Sequence, residues 1–564
     1  MIRATRIMIV LLFAATVAPA QPTITGLSNT SAARSSRLLI QGSGFGAVQG
    51  NGRVAIGGRI APLTRWSDTL IAAYIPETAP IGAGNVQVFD ATGSASNTSS
   101  LNVTSRPGQS GRIRWRFQAD ADYIQSRPAV ASDGSVYVID VYGHLYALTP
   151  DGGLKWIFNA TGYGFGNVSV GPDGTIYTGS ATAIFALAPN GTRRWQFNQS
   201  PRAFILLGPN VGPDGNIYSV ADDGLGVFSL TPQGSLRWSV PETYNRPIVD
   251  LQEIVFGPTA LYFHANDHLR GVGLDGTQVF TNPESFDTSE GDPQPAVGPD
   301  GTIYINTFSA FGQGLALSAF NANGNFLWSA LGNGPTNRLT MPDVGKDGVI
   351  YDGQNLNNLY GVNPDSTVRW QYNDSGTIAS NIVSPLNDLI FLGGGFDYGN
   401  PGFFEAVSTA GKSLWKTTLP FENGLKITPF SRSRFSSDGQ TAYIGTAIGG
   451  QPSNGYSYLY SVQTEGGGGG VSLSKLTLNP TAVKGGMPSQ GTVTLSGPAP
   501  NGGVVVTLAS NNKAAVVATS VTVPVGATSA NFTVKTKAVL VKKIVTISAS
   551  YAGVIKTAKL TLAP

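Results

Sequence analysis

The stretch VSVGPDGTIYTGSATAIFALAPNGTRRW, residues 168–195, holds one complete structural unit. A short apolar strand runs into Gly171-Pro172-Asp173-Gly174, and Thr175-Ile176-Tyr177 opens the next strand. A further apolar strand then ends at Gly191-Thr192-Arg193-Arg194-Trp195. The unit recurs eight times. Its aromatic member falls at Trp115, Trp156, Trp195, Trp238, Phe280, Trp328, Trp370 and Trp415, at spacings between 39 and 48 residues. A glycine stands four positions earlier in seven of the eight, and Ser366 is the exception. Self-similarity at this period marks a repeat architecture. Asp-Gly pairs supply the positive φ that tight hairpins need. Four short strands in about 42 residues make one propeller blade, so eight units predict eight blades across residues 105–465.

The first Trp strand precedes any complete unit, and the last unit lacks a Trp strand after it. The N-terminal strand is therefore expected to complete the eighth blade, removing two exposed sheet edges.

A chain of 564 residues is too long for one core. Charged residues make up 12% and glycines number 72, a low-charge, turn-rich balance that suits an all-β protein. Residues 1–20 have a basic start, an apolar run and Ala18-Pro19-Ala20, the layout of a cleaved secretory signal. The expectation is export to the periplasm, the cell surface or the medium, with no transmembrane segment after cleavage. The absence of cysteine excludes disulfides and thiolate sites. Charge is segregated. Residues 105–470 carry 30 acidic and 20 basic side chains, whereas residues 471–564 carry nine lysines and no Asp, Glu or Arg.

Residues 21–104 alternate short strands with glycine turns. Pro22-Thr23-Ile24, Ile40-Gln41-Gly42-Ser43-Gly44-Phe45-Gly46 and Gly84-Asn85-Val86-Gln87-Val88 resemble the IPT/TIG immunoglobulin-like family. The resemblance implies a small sandwich used as a spacer or binding module. Five glycines at 466–470 form a linker. Seven alternating segments in residues 471–564 predict a second immunoglobulin-like sandwich, similar in general pattern to bacterial Ig-like surface modules.

The Ala-Leu-x-Pro-x-Gly-x-x-x-Trp element at 147–156 and 186–195 resembles the quinoprotein-type, pyrroloquinoline-quinone-like repeat family. The resemblance implies an eight-bladed β-propeller. Family dehydrogenases use a cysteine pair, calcium ligands and a catalytic aspartate. This chain has no cysteine, and no positions match the ligands, so no cofactor is expected.

Asp133, Asp151, Asp173, Asp214, Asp223, Asp275, Asp300, Asp347 and Asp438 each precede glycine, and turn chemistry accounts for them without a ligand. His264 and His268 flank a hairpin turn, which removes the shared face that metal chelation would need. His144 reads as a turn residue rather than a catalytic base. Asn282 to Asp292 includes Glu284, Asp287, Glu290 and Asp292, whose spacing matches no calcium loop. The loops on one propeller face carry aromatic and arginine side chains suited to a protein or glycan ligand: Asp122, Tyr123, Arg127, Tyr163, Arg202, Phe204, Tyr244, Arg246, Arg338 and Arg432. Pairing of arginines with acids and capping of blade cores by aromatics is the alternative. Lys535, Lys537, Lys542, Lys543, Lys556 and Lys559 suit an anionic cell-surface glycan, or protect edge strands.

Two functions follow. One is a non-enzymatic binding or scaffold protein with sandwiches as spacers or anchors. The other is a secreted propeller enzyme, either a divergent quinoprotein oxidoreductase or a carbohydrate-active enzyme. No catalytic residue is assigned, and nucleic acid is not expected as a partner.

Overall fold

Each repeat builds its sheet from the turn outward. In Gly171-Pro172-Asp173-Gly174, Asp173 Oδ1 accepts the Thr175 N–H at 3.0 Å and Oδ2 accepts the Thr175 hydroxyl at 2.6 Å. Gly174 supplies the left-handed φ of 78° that closes the turn. The same cap is made by Asp133, Asp214, Asp275, Asp300, Asp347 and Asp438, each on the N–H two residues ahead. These acids are committed to turns.

The computed structural model describes residues 21–106, 112–124, 126–160, 166–198, 205–221, 225–241, 254–265, 268–282, 294–308, 315–331, 341–354, 357–374, 378–383, 389–395, 401–422, 424–448, 456–464, 473–495, 497, 499, 503–524, 526–551 and 554–564. All regular structure among them is β. No helix there is long and apolar enough to cross a membrane. The signal reading of residues 1–20 and the five-glycine linker lie outside the described residues.

Among the described residues, seven antiparallel four-stranded sheets follow one another along the repeats, the second being Ser169–Val170, Ile176–Ser180, Ala183–Leu187 and Arg193–Asn198. Another sheet has the order Ile113–Ala119, Ser457–Gln463, Thr441–Ile448, Ile427–Pro429. The first Trp strand thus pairs with the last strand of the repeats, and Gln463 N–H donates to the Arg112 carbonyl at 2.7 Å.

One row of three residues gives these sheets their shape. Tyr137 stands opposite Ala147, and Ala147 stands opposite Trp156. The small middle residue lets the outer rings approach to 5.8 Å between centroids. The next rows are Tyr177, Ala186 and Trp195, then Tyr218, Ser229 and Trp238. Where Gly271 or Gly361 is the middle residue, an added Cβ would lie 2.5 Å from Phe280 or 2.6 Å from Trp370. Four of the indoles also reach the following sheet. Trp156 Nε1 donates to the Pro189 carbonyl at 2.9 Å, Trp195 to Pro232 at 2.9 Å, Trp328 to Pro364 at 2.9 Å and Trp370 to Thr409 at 2.9 Å. The glycine four residues before the next aromatic lies flat on that indole. A Cβ on Gly191, whose φ is 86°, would meet Trp156 at 2.7 Å.

The chain divides into two compact units, one of residues 1–108, 117–243 and 451–459, the other of 109–116, 244–450 and 460–564. In the first unit, residues 23–104 form two sheets around a core that includes Leu38, Ile40, Phe45, Val54, Ile71 and Val88. In the second, residues 473–563 form a four-stranded and a five-stranded sheet around Val493, Val506, Val534, Val545, Ile547 and Leu560. Beyond the seven strands expected there, Ala482–Lys484 and Ala515–Val516 add short edge strands.

Gly191→Ala forces a left-handed alanine against an indole, so it is expected to destabilise its unit by about 2–4 kcal/mol in a denaturant titration. Ser366 holds the equivalent glycine position with a φ of 75°. Ser366→Gly should relieve that strain and raise stability by about 0.5–1 kcal/mol, read as a higher thermal midpoint.

Candidate binding surface

Two carboxylates that precede no glycine, Asp120 and Asp140, are buried within the first unit, where the N-terminal sandwich meets the first four-stranded sheet. Asp140 follows Val136–Ile139. Its Oδ1 accepts the N–H groups of Tyr142 and His144, both at 3.0 Å, and so shapes the turn. Its Oδ2 accepts the Tyr146 hydroxyl at 2.8 Å and lies 2.8 Å from His144 Nδ1. The other ring nitrogen of His144 is 2.9 Å from the Thr64 carbonyl of the sandwich. Asp120 forms an ion pair with Arg37, accepts the Thr64 hydroxyl at 2.8 Å and has Arg65 Nη2 at 3.6 Å. Apolar contact completes the seam, with Tyr74 stacked on Phe117 at 5.4 Å and its hydroxyl donating to the Gln118 carbonyl at 2.8 Å. Asn159 Nδ2 donates to the Leu63 carbonyl at 3.1 Å, and Leu154 N–H to Ser35 Oγ at 2.8 Å.

Arg37 and His144 therefore answer the two buried carboxylates, as buried charges require. His144 is the first residue of the strand His144–Leu148, not a turn residue, and its ring bridges sandwich and sheet. Both ring nitrogens face acceptors, so the doubly protonated imidazolium satisfies both. Burial works against that charge, but the hydrogen bond to Asp140 and the charges of Asp140 and Asp120 prevail and raise the pKa above its ordinary value. Tyr74 and Tyr146 are pushed far up, chiefly by burial, and remain neutral donors.

Beside this seam lies a partly exposed group. Tyr142 donates to Asp122 Oδ2 at 2.8 Å, which pushes its hydroxyl up to about 12. Arg65 from the sandwich acts on the same tyrosine electrostatically. Asp122, Tyr123 and Arg127 are each partly exposed here, and Arg127 N–H reaches Asn167 Oδ1 at 3.5 Å. Of the loop-face candidates, the structure brings Asp122 together with Tyr142, which lies outside that set. Arg432, in the second unit, is only 9% exposed, which leaves little of it to meet a macromolecule. Tyr163, Arg202, Phe204, Tyr244, Arg246 and Arg338 lie outside the described residues, as do Glu284, Asp287, Glu290 and Asp292.

In the second unit, Glu405 and Asp374 form a buried acid pair. Glu405 Oε1 accepts the Tyr372 hydroxyl at 2.5 Å and Ser413 Oγ at 2.6 Å. Lys416 pairs with Asp374, lies 3.6 Å from Glu405 Oε2, and sits 3.7 Å above the Phe403 ring. Burial first, then the hydrogen bond to Asp374, raises the Glu405 carboxyl well above its usual range. The ligands of this pair come from the strands Val368–Asn373, Phe403–Ser408 and Ser413–Thr418, so it braces consecutive sheets.

His264 pairs with Leu269, and His268 pairs with Ala265 across the hairpin. Directly opposed residues share a face, so the two histidines point to opposite faces of the sheet. Among the described residues, no three His, Asp or Glu side chains gather as a metal site. In the C-terminal sandwich, Lys535, Lys537, Lys542, Lys543 and Lys559 are exposed and Lys556 is half-buried.

The sign of the His144 shift fixes a pH dependence. A raised folded-state pKa gives stability that is complete below the ordinary imidazole value, about 6.5, and is lost as pH rises through the raised value. The thermal midpoint of the first unit should therefore fall as pH rises above the ordinary imidazole range, and His144→Gln should flatten that slope. Identical profiles for both proteins would refute the seam as the titrating element.

Residues 97–259 match the family model described as outer membrane protein assembly factor BamB, and residues 22–105 match the IPT/TIG domain. A search of curated proteins gave no match. Among solved structures, the chain is similar to BamB from Moraxella catarrhalis, at 14% identity over 62% of this chain and 99% of that one, with a TM-score of 0.46. It is also similar to a streptogramin B lyase, at 13% identity over 62% and 98%, TM-score 0.36. A third is the dihydro-heme d1 dehydrogenase NirN, at 12% over 59% and 71%, TM-score 0.40. Residues 22–105 are thus similar to an IPT/TIG domain, and residues 97–259 to the repeats of BamB.

Proposed function

We propose that this chain is an exported, non-enzymatic scaffold protein whose propeller binds a protein ligand on the loop face beside the IPT/TIG domain. The observation that carries this reading is the buried seam of Arg37, Asp120, Asp140 and His144, which holds sandwich and first sheet as one rigid body. A rigid junction presents Arg65, Asp122 and Tyr142 as one composite surface without an ordering cost on binding. Tyrosine and arginine are the side chains that anchor protein interfaces. The BamB-type repeats support a protein partner over a glycan.

The wider assignment has residues 1–20 as a secretory signal, residues 105–465 as one eight-bladed ring, and residues 471–564 as an Ig-like module that spaces or anchors the protein. Tyr163, Arg202, Phe204, Tyr244, Arg246 and Arg338 would extend the contact around the loop face, while the enzyme reading has the Glu405–Asp374 pair as its nearest acid–base group. That pair is engaged by Tyr372, Ser413 and Lys416 and serves packing.

A photo-crosslinking residue at Tyr142, expressed in cells, is expected to yield one discrete protein adduct. The same residue at Thr192, in the turn on the opposite edge of its sheet, should not. Arg65→Glu should lower the adduct yield by about fivefold or more. Equal adducts from both positions would defeat the loop-face reading. A stoichiometric chromophore with dye-linked oxidation on adding the quinone and calcium would replace it with the enzyme.

A further inference from the structure

The C-terminal sandwich ends in an apolar tip set in lysines. Three loops share that end, at residues 485–488, 511–514 and 537–542. Gly486 N–H donates to Thr536 Oγ1 at 3.0 Å, and that hydroxyl donates to the Met487 carbonyl at 2.7 Å. Lys537 N–H donates to the Ala514 carbonyl at 2.9 Å. Val539 packs partly against the core and pins the longest loop. The next two side chains are left pointing outward, Leu540 at 97% exposure and Val541 at 63%, with Met487 of the neighbouring loop at 59%.

Six of the nine lysines stand at this end. Lys484 closes the strand Ala482–Lys484, Lys513 lies in the middle loop, Lys535 and Lys537 lead into the tip, and Lys542 and Lys543 leave it. No Asp or Glu occurs in residues 471–564 to neutralise them. The tip is also distal. Leu473, the first residue of the strand that follows the glycine run, pairs with Leu495 at the opposite end. That strand's last residue, Asn479, pairs with Gln490 close to the tip.

We infer that this tip docks on an anionic lipid bilayer, with Leu540, Val541 and Met487 entering the headgroup–acyl boundary and the lysines contacting lipid phosphates. Charge complementarity selects an anionic surface, and the apolar residues distinguish a bilayer from a soluble polyanion. An acidic polysaccharide offers nothing to a leucine that is almost wholly in water. Edge-strand protection would account for single lysines on strands, but not for their convergence on an apolar loop. The inference is independent of the propeller's ligand, since it concerns the C-terminal sandwich alone.

The full chain tests it. Because the protein has no cysteine, Leu540→Cys accepts a single polarity-sensitive fluorophore. Its emission should shift to the blue with vesicles of equimolar phosphatidylethanolamine and phosphatidylglycerol, and should not shift with phosphatidylcholine vesicles. In flotation with the anionic vesicles, Leu540→Ser with Val541→Ser should weaken binding about tenfold. Each of Lys537→Ala and Lys542→Ala should weaken it about fivefold, and added salt should weaken it further. All these sites are exposed, so unchanged circular dichroism and thermal midpoint separate docking from folding. A label that stays in water, serine variants that bind as well as the parent, or retention on polygalacturonate without vesicle binding would each overturn the proposal.

Discussion

An indole lying between two sheets is the contact on which the repeat region depends. Within its own sheet, Trp156 meets Tyr137 across Ala147, and outside it donates to Pro189 and covers Gly191. Apolar burial alone would hold two sheets together but would leave them free to slide. A donated hydrogen bond and a glycine too close for any side chain fix both register and distance. Each repeat therefore specifies its neighbour's position as well as its own shape. Phe280 keeps the packing part of this device without the indole donor, and Gly271 and Gly324 crowd it from both sides.

The seam between the IPT/TIG domain and the first sheet works by a different physics. Tyr74 and Phe117 provide area, but Asp120 and Asp140 provide selectivity, because a buried carboxylate tolerates few arrangements of its partners. Arg37 and Thr64 come from the sandwich, while Tyr146 and His144 come from the sheet. Losing the alignment would strand two charges away from water. The domain is thus held at one angle, which a linker of ordinary composition would not do.

The fold was legible because its signals are periodic. Trp, Gly and Asp-Gly recur at fixed offsets, and their roles in turns and packing can be read from chemistry. The middle residue of each aromatic row escaped notice, since Ala147, Ser229 and Gly361 look alike only once strand register is known. The seam left one usable trace. Asp120 and Asp140 precede no glycine, unlike the acids that cap the Asp-Gly turns, and they lie in the repeat nearest the N-terminal domain. Tyr142 stands in the turn between Val136–Ile139 and His144–Leu148, 20 residues from Asp122 along the chain. Its proximity to Asp122 arises only from folding.

Charge segregation along the chain is visible in which side chain caps the turns. In the repeats, aspartate supplies the side-chain oxygen that caps the turn, as at Asp173 and Asp300, and each such turn adds a negative charge. In the C-terminal sandwich the same task falls to a neutral residue, with Asn512 Oδ1 accepting the Ala514 N–H at 2.9 Å. Asparagine also serves in the repeats, at Asn190 and Asn321, so either side chain satisfies the backbone. Folding therefore does not dictate which is used. A domain that caps with asparagine and has lysine as its only charged side chain keeps its positive field intact. That field converges where Leu540 and Val541 leave the core, so charge and exposed apolar area occupy the same end of one small sandwich.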